Sequence, residues 1–230
     1  MTPAKRADFF DRLAAAMPSP RSELEHATPY ELLVAVVLSA QATDKSVNLA
    51  TAKLFPVANT PAKVAALGVE GLERYIRTIG LYRGKARNVV ALSNLLLDKH
   101  GGEVPRTRDA LEALPGVGRK TANVVLNVAF GELTLAVDTH VFRVSNRTGL
   151  APGKDPLEVE TRLMKIVPAK HLRHAHHYLI LHGRYTCLAK RPLCYECPVY
   201  AQCGFKEKKK YAQSPRGPQR GDGPGPNLPR

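Results

Sequence analysis

Residues 114–125 read Leu-Pro-Gly-Val-Gly-Arg-Lys-Thr-Ala-Asn-Val-Val, and the interpretation of the whole chain begins with this segment. Pro115 ends a short helix, because proline cannot continue one. Gly116 and Gly118 allow a tight turn, since glycine adopts the positive φ values that such turns need. A second helix begins near Arg119. The segment therefore predicts two helices joined by a hairpin.

The start of the second helix is a candidate anion site. Its first backbone N–H groups have no partner within the helix and lie at the positive end of the helix dipole. A ligand can come close to the backbone at Gly116-Val117-Gly118, where two of the three residues have no side chain. We expect these three residues to hold a phosphate group through backbone amides.

Lys120 occupies an unusual position, in the first turn of this second helix. The helix dipole disfavours a cation there and so favours the neutral amine, the form that acts as a nucleophile. A solvated lysine that touches a phosphate gives the same sequence pattern. From these residues alone, a catalytic and a phosphate-binding lysine are both open.

The composition indicates a globular protein with a polyanionic partner. The 230 residues carry a net charge of +14, and 44% of them are hydrophobic. Nucleic acid is the first candidate for such a partner. Residues 205–230 hold only seven of the 34 Lys and Arg residues, so the basic balance does not come from this end.

Apolar runs are too short to span a bilayer, and Asp8, Asp11 and Arg12 interrupt any N-terminal signal peptide, so we expect no membrane partner.

All four cysteines lie within seventeen residues, in the pattern Cys187-x6-Cys194-x2-Cys197-x5-Cys203. Such clustering is typical of a metal or cluster site in an intracellular protein and not of a secreted disulfide framework. Four thiolates suit either a tetrahedral zinc ion or a four-iron cluster. The spacing alone leaves both open.

The rest of the chain shows helical patterns and no sustained strand alternation, so the predicted fold class is all-α. Residues 28–31 and 155–158 each combine a capping residue with proline at the first helical position. Residues 32–38 are apolar on every side, which predicts a helix buried in the middle of a helical domain. We expect Asp44 to cap the following helix and residues 172–187 to form the last long one.

Two further features are the C-terminal segment and a group of three histidines. Residues 212–230 hold nine Gly and Pro residues in nineteen positions and are expected to be disordered. His171, His174 and His177 recur at helical spacing, but the sequence brings no cysteine or carboxylate to them. We therefore expect them to make ordinary hydrogen bonds and not to bind a metal.

A third segment completes a recognisable pattern. Residues 136–144 read Ala-Val-Asp-Thr-His-Val-Phe-Arg-Val, between the hairpin segment and the cysteines. With these three features in this order, the sequence resembles the endonuclease III family. The members are helix–hairpin–helix DNA glycosylases that also act as abasic-site lyases. The resemblance covers roughly residues 20–205.

The resemblance implies two helical lobes. Residues 21–132 would form a six-helix lobe, with the helix–hairpin–helix at about 107–130. Residues 1–20 and 133–204 would form the second lobe, whose segment 187–203 would be the cluster loop. Residues 205–230 would be a basic, disordered tail.

The resemblance also implies the catalytic chemistry, with Lys120 and Asp138 on opposite sides of a cleft. Lys120 would attack C1′ of a flipped nucleotide, expel the damaged base and form a Schiff base that permits β-elimination of the 3′ phosphate. Asp138 would stabilise positive charge on the sugar or assist proton movement, and it would also cap its own helix. Cys187, Cys194, Cys197 and Cys203 would hold a structural [4Fe-4S] cluster.

The DNA contacts beyond the hairpin rest on the same resemblance. Gln41 and Leu81 match wedge residues that fill the space left by the flipped nucleotide, although Leu81 alone is an ordinary apolar loop residue. His140 would lie in the cleft and contact DNA. Lys190 and Arg191 would bind phosphate from the cluster loop, or they are simply solvated.

We therefore expect a monomeric glycosylase and lyase of base excision repair, cytoplasmic and associated with the nucleoid. Its substrate would be duplex DNA that carries oxidised pyrimidines or abasic sites. One alternative is a monofunctional glycosylase of the adenine type, which Lys120 and the short segment after Cys203 both disfavour. Another is a non-catalytic DNA-binding module with a zinc site.

Overall fold

The computed structural model describes residues 1–213, and within them all regular structure is helical. The all-α prediction is therefore confirmed. The chain divides into two compact units. One is continuous, Ser22–Leu133, and the other joins Met1–Arg21 to the chain from Thr134 onward.

The continuous unit contains six helices. They are α2 (Pro29–Leu38), α3 (Asp44–Leu54), α4 (Pro61–Ile76), α5 (Tyr82–His100), α6 (Arg108–Glu112) and α7 (Arg119–Phe130). Every residue from Tyr30 to Leu38 is buried, and α2 packs against α3, α5 and α7. This confirms the central buried helix that the apolar sequence predicts.

Local capping chemistry sets most helix starts in this unit. Within residues 22–133, four helices are preceded by an N-cap threonine whose hydroxyl accepts a bond from the N–H three residues on: Thr28, Thr43, Thr60 and Thr107. The prediction that Asp44 caps α3 is wrong, because Thr43 does so and Asp44 is the first helical residue. In the same range, the N-cap residues of α5 and α7 are Leu81 and Gly118, and neither helix has a side-chain cap.

The second unit contains the helices from both ends of the described chain. They are α1 (Pro3–Ala16), α8 (Thr139–Thr148), α9 (Pro156–Ile166), α10 (Ala169–Leu172) and α11 (Ala175–Tyr185). Helix α11 packs against α8 and α1, and Phe9, Phe10 and Leu13 of α1 are fully buried in the core. The predicted single helix over residues 172–187 is shorter than expected, since α11 begins at Ala175 and the turn α10 precedes it.

The chain after α11 is folded further than the sequence predicts. Cys194–Glu196 and Lys208–Tyr211 form short 3-10 helices. Nζ of Lys208 donates to the carbonyl oxygens of Tyr200 and Cys203, each at 2.7 Å. Disorder from residue 205 onward was therefore the wrong expectation for residues 205–213, and residues 214–230 lie outside the described part.

Candidate functional site

The two glycines of the hairpin between α6 and α7 have different structural roles. Gly116 has a φ of 78°, and a methyl group there would lie 2.9 Å from Nδ2 of Asn88. Gly118 has a φ of −102°, and a methyl group there would meet nothing within 4 Å among residues 1–213. The turn itself requires Gly116, whereas Gly118 leaves the backbone accessible from outside.

Lys120 is the second residue of α7, and its side chain is half-buried. The first turn of α7 contains no acidic residue, so the positive end of the helix dipole is not neutralised from within that turn. Nε of Arg108 on α6 donates to Oδ1 of Asn123 on α7 at 3.0 Å, which joins the two hairpin helices. Lys120 therefore stands on a braced helix start, directly behind the hairpin.

Gln41 and Leu81 share an uncommon backbone conformation. Among residues 1–213 they are the only residues other than glycine with positive φ, at 54° and 60°. Both are exposed, with Leu81 at 66%. Their turns are neighbours, since a methyl group on Gly80 would lie 3.9 Å from the carbonyl oxygen of Gln41. Strained, exposed residues of this kind are concentrated at functional sites.

In the other unit, Asp138 caps α8. Its Oδ1 accepts bonds from the backbone N–H groups of His140 at 2.9 Å and Val141 at 2.8 Å. The predicted capping role is therefore confirmed. These two bonds use one carboxylate oxygen and hold the side chain in a single orientation at the start of the helix.

Arg143 connects α8 to the last turns of α11 and to the segment that follows it. Its guanidinium donates to the carbonyl oxygens of Gly183 at 2.8 Å and Cys187 at 3.1 Å, and Nη2 lies 3.2 Å from Nδ1 of His140. Burial lowers the pKa of Arg143 below its usual value. The half-buried His140 is thus held by a neighbouring arginine within its own unit.

The four cysteines line one cavity, together with Arg147, His182 and Phe205 among others. Burial raises the pKa of three of the thiols, Cys194, Cys197 and Cys203, and that of Cys197 to about 12. The positive charges of Arg147 and Lys208 act in the opposite direction on Cys194 and Cys203. A bound metal group would replace the protons and hold the four sulfurs as thiolates.

Arg147 organises the segment after Cys187. Its guanidinium donates to the carbonyl oxygens of Leu188 at 2.5 Å and Ala189 at 2.8 Å, and it lies 3.6 Å from Sγ of Cys187. It also stacks over the ring of Phe205, 5.2 Å from the centroid. Sequence reasoning missed this role, and the only signal was an arginine one helical turn after Arg143.

Lys190 and Arg191 follow this braced segment, and both side chains are exposed. Two kinds of structural feature are absent from residues 1–213. No group of three or more His, Cys, Asp or Glu side chains there could hold a single metal ion. None of the helices in that range has the length and apolar character that crossing a membrane requires.

Comparison with known proteins identifies the family. Residues 34–169 match the model of the HhH-GPD superfamily of base excision DNA repair proteins. The chain is 60% identical over 208 residues to endonuclease III of Escherichia coli (strain K12), which covers 90% of this chain and 99% of that protein. The chain belongs to the endonuclease III family. It is accordingly a DNA glycosylase and abasic-site lyase of base excision repair.

Other endonuclease III proteins and structures agree. That of Haemophilus influenzae is 56% identical over 211 residues, 92% of this chain and all of the relative. A solved endonuclease III trapped in a covalent intermediate with DNA has a TM-score of 0.86 at 50% identity. It covers 93% of this chain and all of that one. A non-covalent endonuclease III–DNA complex has a TM-score of 0.85, also at 50% identity, over 91% and 98% of the two chains.

Proposed function

We propose that Lys120 is the nucleophile of this glycosylase and lyase. The observation that carries the proposal is its place in the first turn of α7, half-buried and directly after the hairpin. A helix start disfavours the ammonium form and so favours the amine that can attack. The relative that was trapped covalently on DNA supports a covalent step.

The reaction needs a nucleotide that has left the base stack. The Lys120 nitrogen forms a bond to C1′ while the bond from C1′ to the base breaks, and the base leaves with the electron pair and takes up a proton. Opening of the sugar gives a Schiff base, which makes a C2′ proton acidic. Loss of that proton breaks the bond from C3′ to its oxygen, so the 3′ phosphate leaves and the strand is cut. Water then hydrolyses the Schiff base and frees the lysine.

Asp138 is proposed to act on the same nucleotide. Departure of the base builds positive charge on the sugar, and a carboxylate stabilises that charge electrostatically or accepts a proton. Its Oδ1 is held by two backbone N–H groups, which fixes the carboxylate before the substrate arrives. The half-buried His140, two residues on, is proposed to contact the DNA.

The remaining DNA contacts divide into wedge and phosphate groups. We propose that Gln41 and Leu81 enter the duplex where the nucleotide leaves, since both are exposed and share strained, neighbouring turns. Gly116, Val117 and Gly118 would hold a phosphate through backbone amides, as the side chain of Val117 is buried at 7% exposure. Lys190 and Arg191 would bind phosphate from the exposed cluster loop.

The cysteines are proposed to hold a [4Fe-4S] cluster with a structural role. Each of the four irons in such a cluster binds one thiolate, so the four ligands of the cluster surround a cavity. All four cysteines line one cavity in this structure. Arg147 and Lys208 supply positive charge beside this anionic group. The bound cluster would fix the loop that carries Lys190 and Arg191. Iron analysis and absorbance of the purified protein test this proposal, and a colourless protein that contains zinc would refute it.

The lesion class is the finer part of the proposal. We propose oxidised pyrimidines and abasic sites in duplex DNA as substrates, and a monomer that acts on the nucleoid in the cytoplasm. Cleavage assays on matched duplexes carrying thymine glycol, a plain abasic site or an adenine mispair test the lesion class. Cleavage at the first two is expected, and activity only on the adenine mispair would contradict it.

Borohydride reduction tests the nucleophile. Reduction during reaction with abasic-site DNA should give a covalent adduct in the wild-type protein, because borohydride fixes a Schiff base. Lys120→Ala should give none, whereas Lys99→Ala, a change at an exposed lysine on α5, should give as much as the wild type. An adduct that persists in Lys120→Ala would assign the amine to another residue.

A further inference from the structure

Lys85, near the start of α5, is a buried lysine that the mechanism above does not use. The residue is 6% exposed, and within residues 1–213 its Nζ has no hydrogen-bond partner. Burial lowers the pKa of this amine from its usual value. An uncompensated buried cation destabilises a fold, and an apolar side chain of similar volume would be more stable there. Stability of the fold therefore does not explain this lysine, and we expect it to take part in binding.

The start of α5 has the properties of an anion site. Its N-cap is Leu81 in the left-handed conformation, and among the described residues no side chain caps its first N–H groups. The first turn holds Arg83 and no acidic residue. Backbone N–H groups at a helix start with positive charge nearby favour an anion.

Lys85 belongs to the same first turns of α5. Its backbone N–H donates to the carbonyl oxygen of Leu81 at 3.1 Å, which places it one turn after the N-cap. Long side chains on a helix lean back toward its N-terminus, so the charge of Lys85 is on the side of the first turn of α5. The unpaired amine and the uncapped amides are thus two independent features that favour the same ligand.

We propose that the start of α5 binds a phosphate of the substrate DNA, through the first backbone amides after Leu81, with the buried positive charge of Lys85 favouring the anion from beneath them. This site rests on the proposed wedge role of Leu81. It lies next to the exposed turns of Gln41 and Leu81. A side chain inserted into the duplex from these turns would bring the neighbouring DNA backbone to the start of α5.

The same helix also contacts the hairpin. Asn88, one turn after Lys85, lies against Gly116, where an added methyl group would be 2.9 Å from its Nδ2. Within residues 22–133, α5 and α7 are the two helices that begin without a side-chain cap. The continuous unit would therefore hold the DNA backbone at two uncapped helix starts, one behind the wedge and one behind the hairpin.

Lys85→Met tests the proposal by DNA binding and stability together. Affinity for a duplex with a tetrahydrofuran abasic-site analogue should fall roughly tenfold at low salt, and the slope of log K against log salt should become shallower by about 0.9. The melting temperature should stay the same or rise, because a buried unpaired charge is removed. Lys99→Met makes the same change at an exposed position of α5 and should leave affinity and slope unchanged. Unchanged affinity and slope in Lys85→Met would overturn the proposal.

Amide exchange in the wild-type protein gives a test that does not depend on how the variant folds. The N–H groups of Tyr82, Arg83 and Gly84 should exchange more slowly when the analogue duplex is bound, and exchange rates that DNA does not change would overturn the site. Borohydride trapping of Lys85→Met separates this inference from the proposed function. Because Lys120 is intact in Lys85→Met, the adduct should still form at saturating DNA. Loss of the adduct in Lys120→Ala tests the nucleophile and does not depend on Lys85.

Discussion

Asn88 lies so close to Gly116 that a methyl group on the glycine would come within 2.9 Å of its Nδ2. The positive φ of Gly116 adds a second restriction, whereas Gly118 has neither. Gly116→Ala should lower the free energy of unfolding by at least about 1–2 kcal/mol. Gly118→Ala should change it by less than about 0.5 kcal/mol.

Both variants should bind duplex DNA more weakly and without a change in sequence preference, because phosphate contacts position the protein and do not read bases. Urea unfolding and binding to several unrelated duplexes measure the two effects. A Gly118→Ala protein that binds as tightly as the wild type would contradict the backbone phosphate site. A change in sequence preference in either variant would also contradict it.

Asp138→Asn should separate catalysis from structure. Asparagine caps helices as well as aspartate does, so the free energy of unfolding should change by less than about 0.5 kcal/mol. The catalytic rate constant should fall by about 100-fold or more, because the negative charge is lost. Binding to the analogue duplex should change only a few-fold. Equal losses in rate and binding would refute the catalytic role.

Arg147→Met should loosen the cluster loop. The change removes the bonds to the carbonyl oxygens of Leu188 and Ala189 and the stacking on Phe205. Trypsin should then cut after Lys190 faster than in the wild type, because proteolysis follows local opening. Arg162→Met, at an exposed arginine on α9, is the matched control and should leave this cleavage unchanged. Equal cleavage in both variants would show that Arg147 does not hold the loop.

His177 should make stability depend on pH. Burial, followed by the charges of His176 and His174, lowers its pKa from 6.5 to about 3. The folded state therefore binds fewer protons than the unfolded chain between these values, and stability is lost as pH falls below 6.5. His177→Gln removes this contribution. Between about pH 7.5 and 5.5, the free energy of unfolding of the wild type should fall by about 1.4 kcal/mol more than that of the variant. Denaturant unfolding at both values measures it, and a constant difference would contradict the buried neutral histidine.

The helix starts were predictable because capping chemistry is local. Threonine or aspartate before a helical pattern forms its bond within three residues, as Thr28 and Asp155 do. The positive φ of Leu81 was not predictable, because leucine gives no local signal for a conformation that only tertiary contacts impose. Burial of Lys85 was hidden for the same reason, since it depends on how neighbouring helices pack.

Contacts between distant segments were also beyond the sequence. The expectation that no carboxylate joins the histidines is wrong, because Oδ1 of Asp11 on α1 lies 2.7 Å from Nε2 of His171, 160 residues away. Likewise, no periodic pattern shows that Phe205 stacks with Tyr211 or lies under Arg147. The contact between Asp11 and His171 forms only after the two ends of the chain come together.

That pairing of the two ends has a consequence for synthesis on the ribosome. Phe9, Phe10 and Leu13 belong to a core completed by α11, which ends at Tyr185. At about 5–20 residues per second, translation takes roughly ten to forty seconds to complete that helix. The continuous unit can fold during this interval. The apolar face of α1 stays unburied until α11 has been made, and it is available to chaperones during that time.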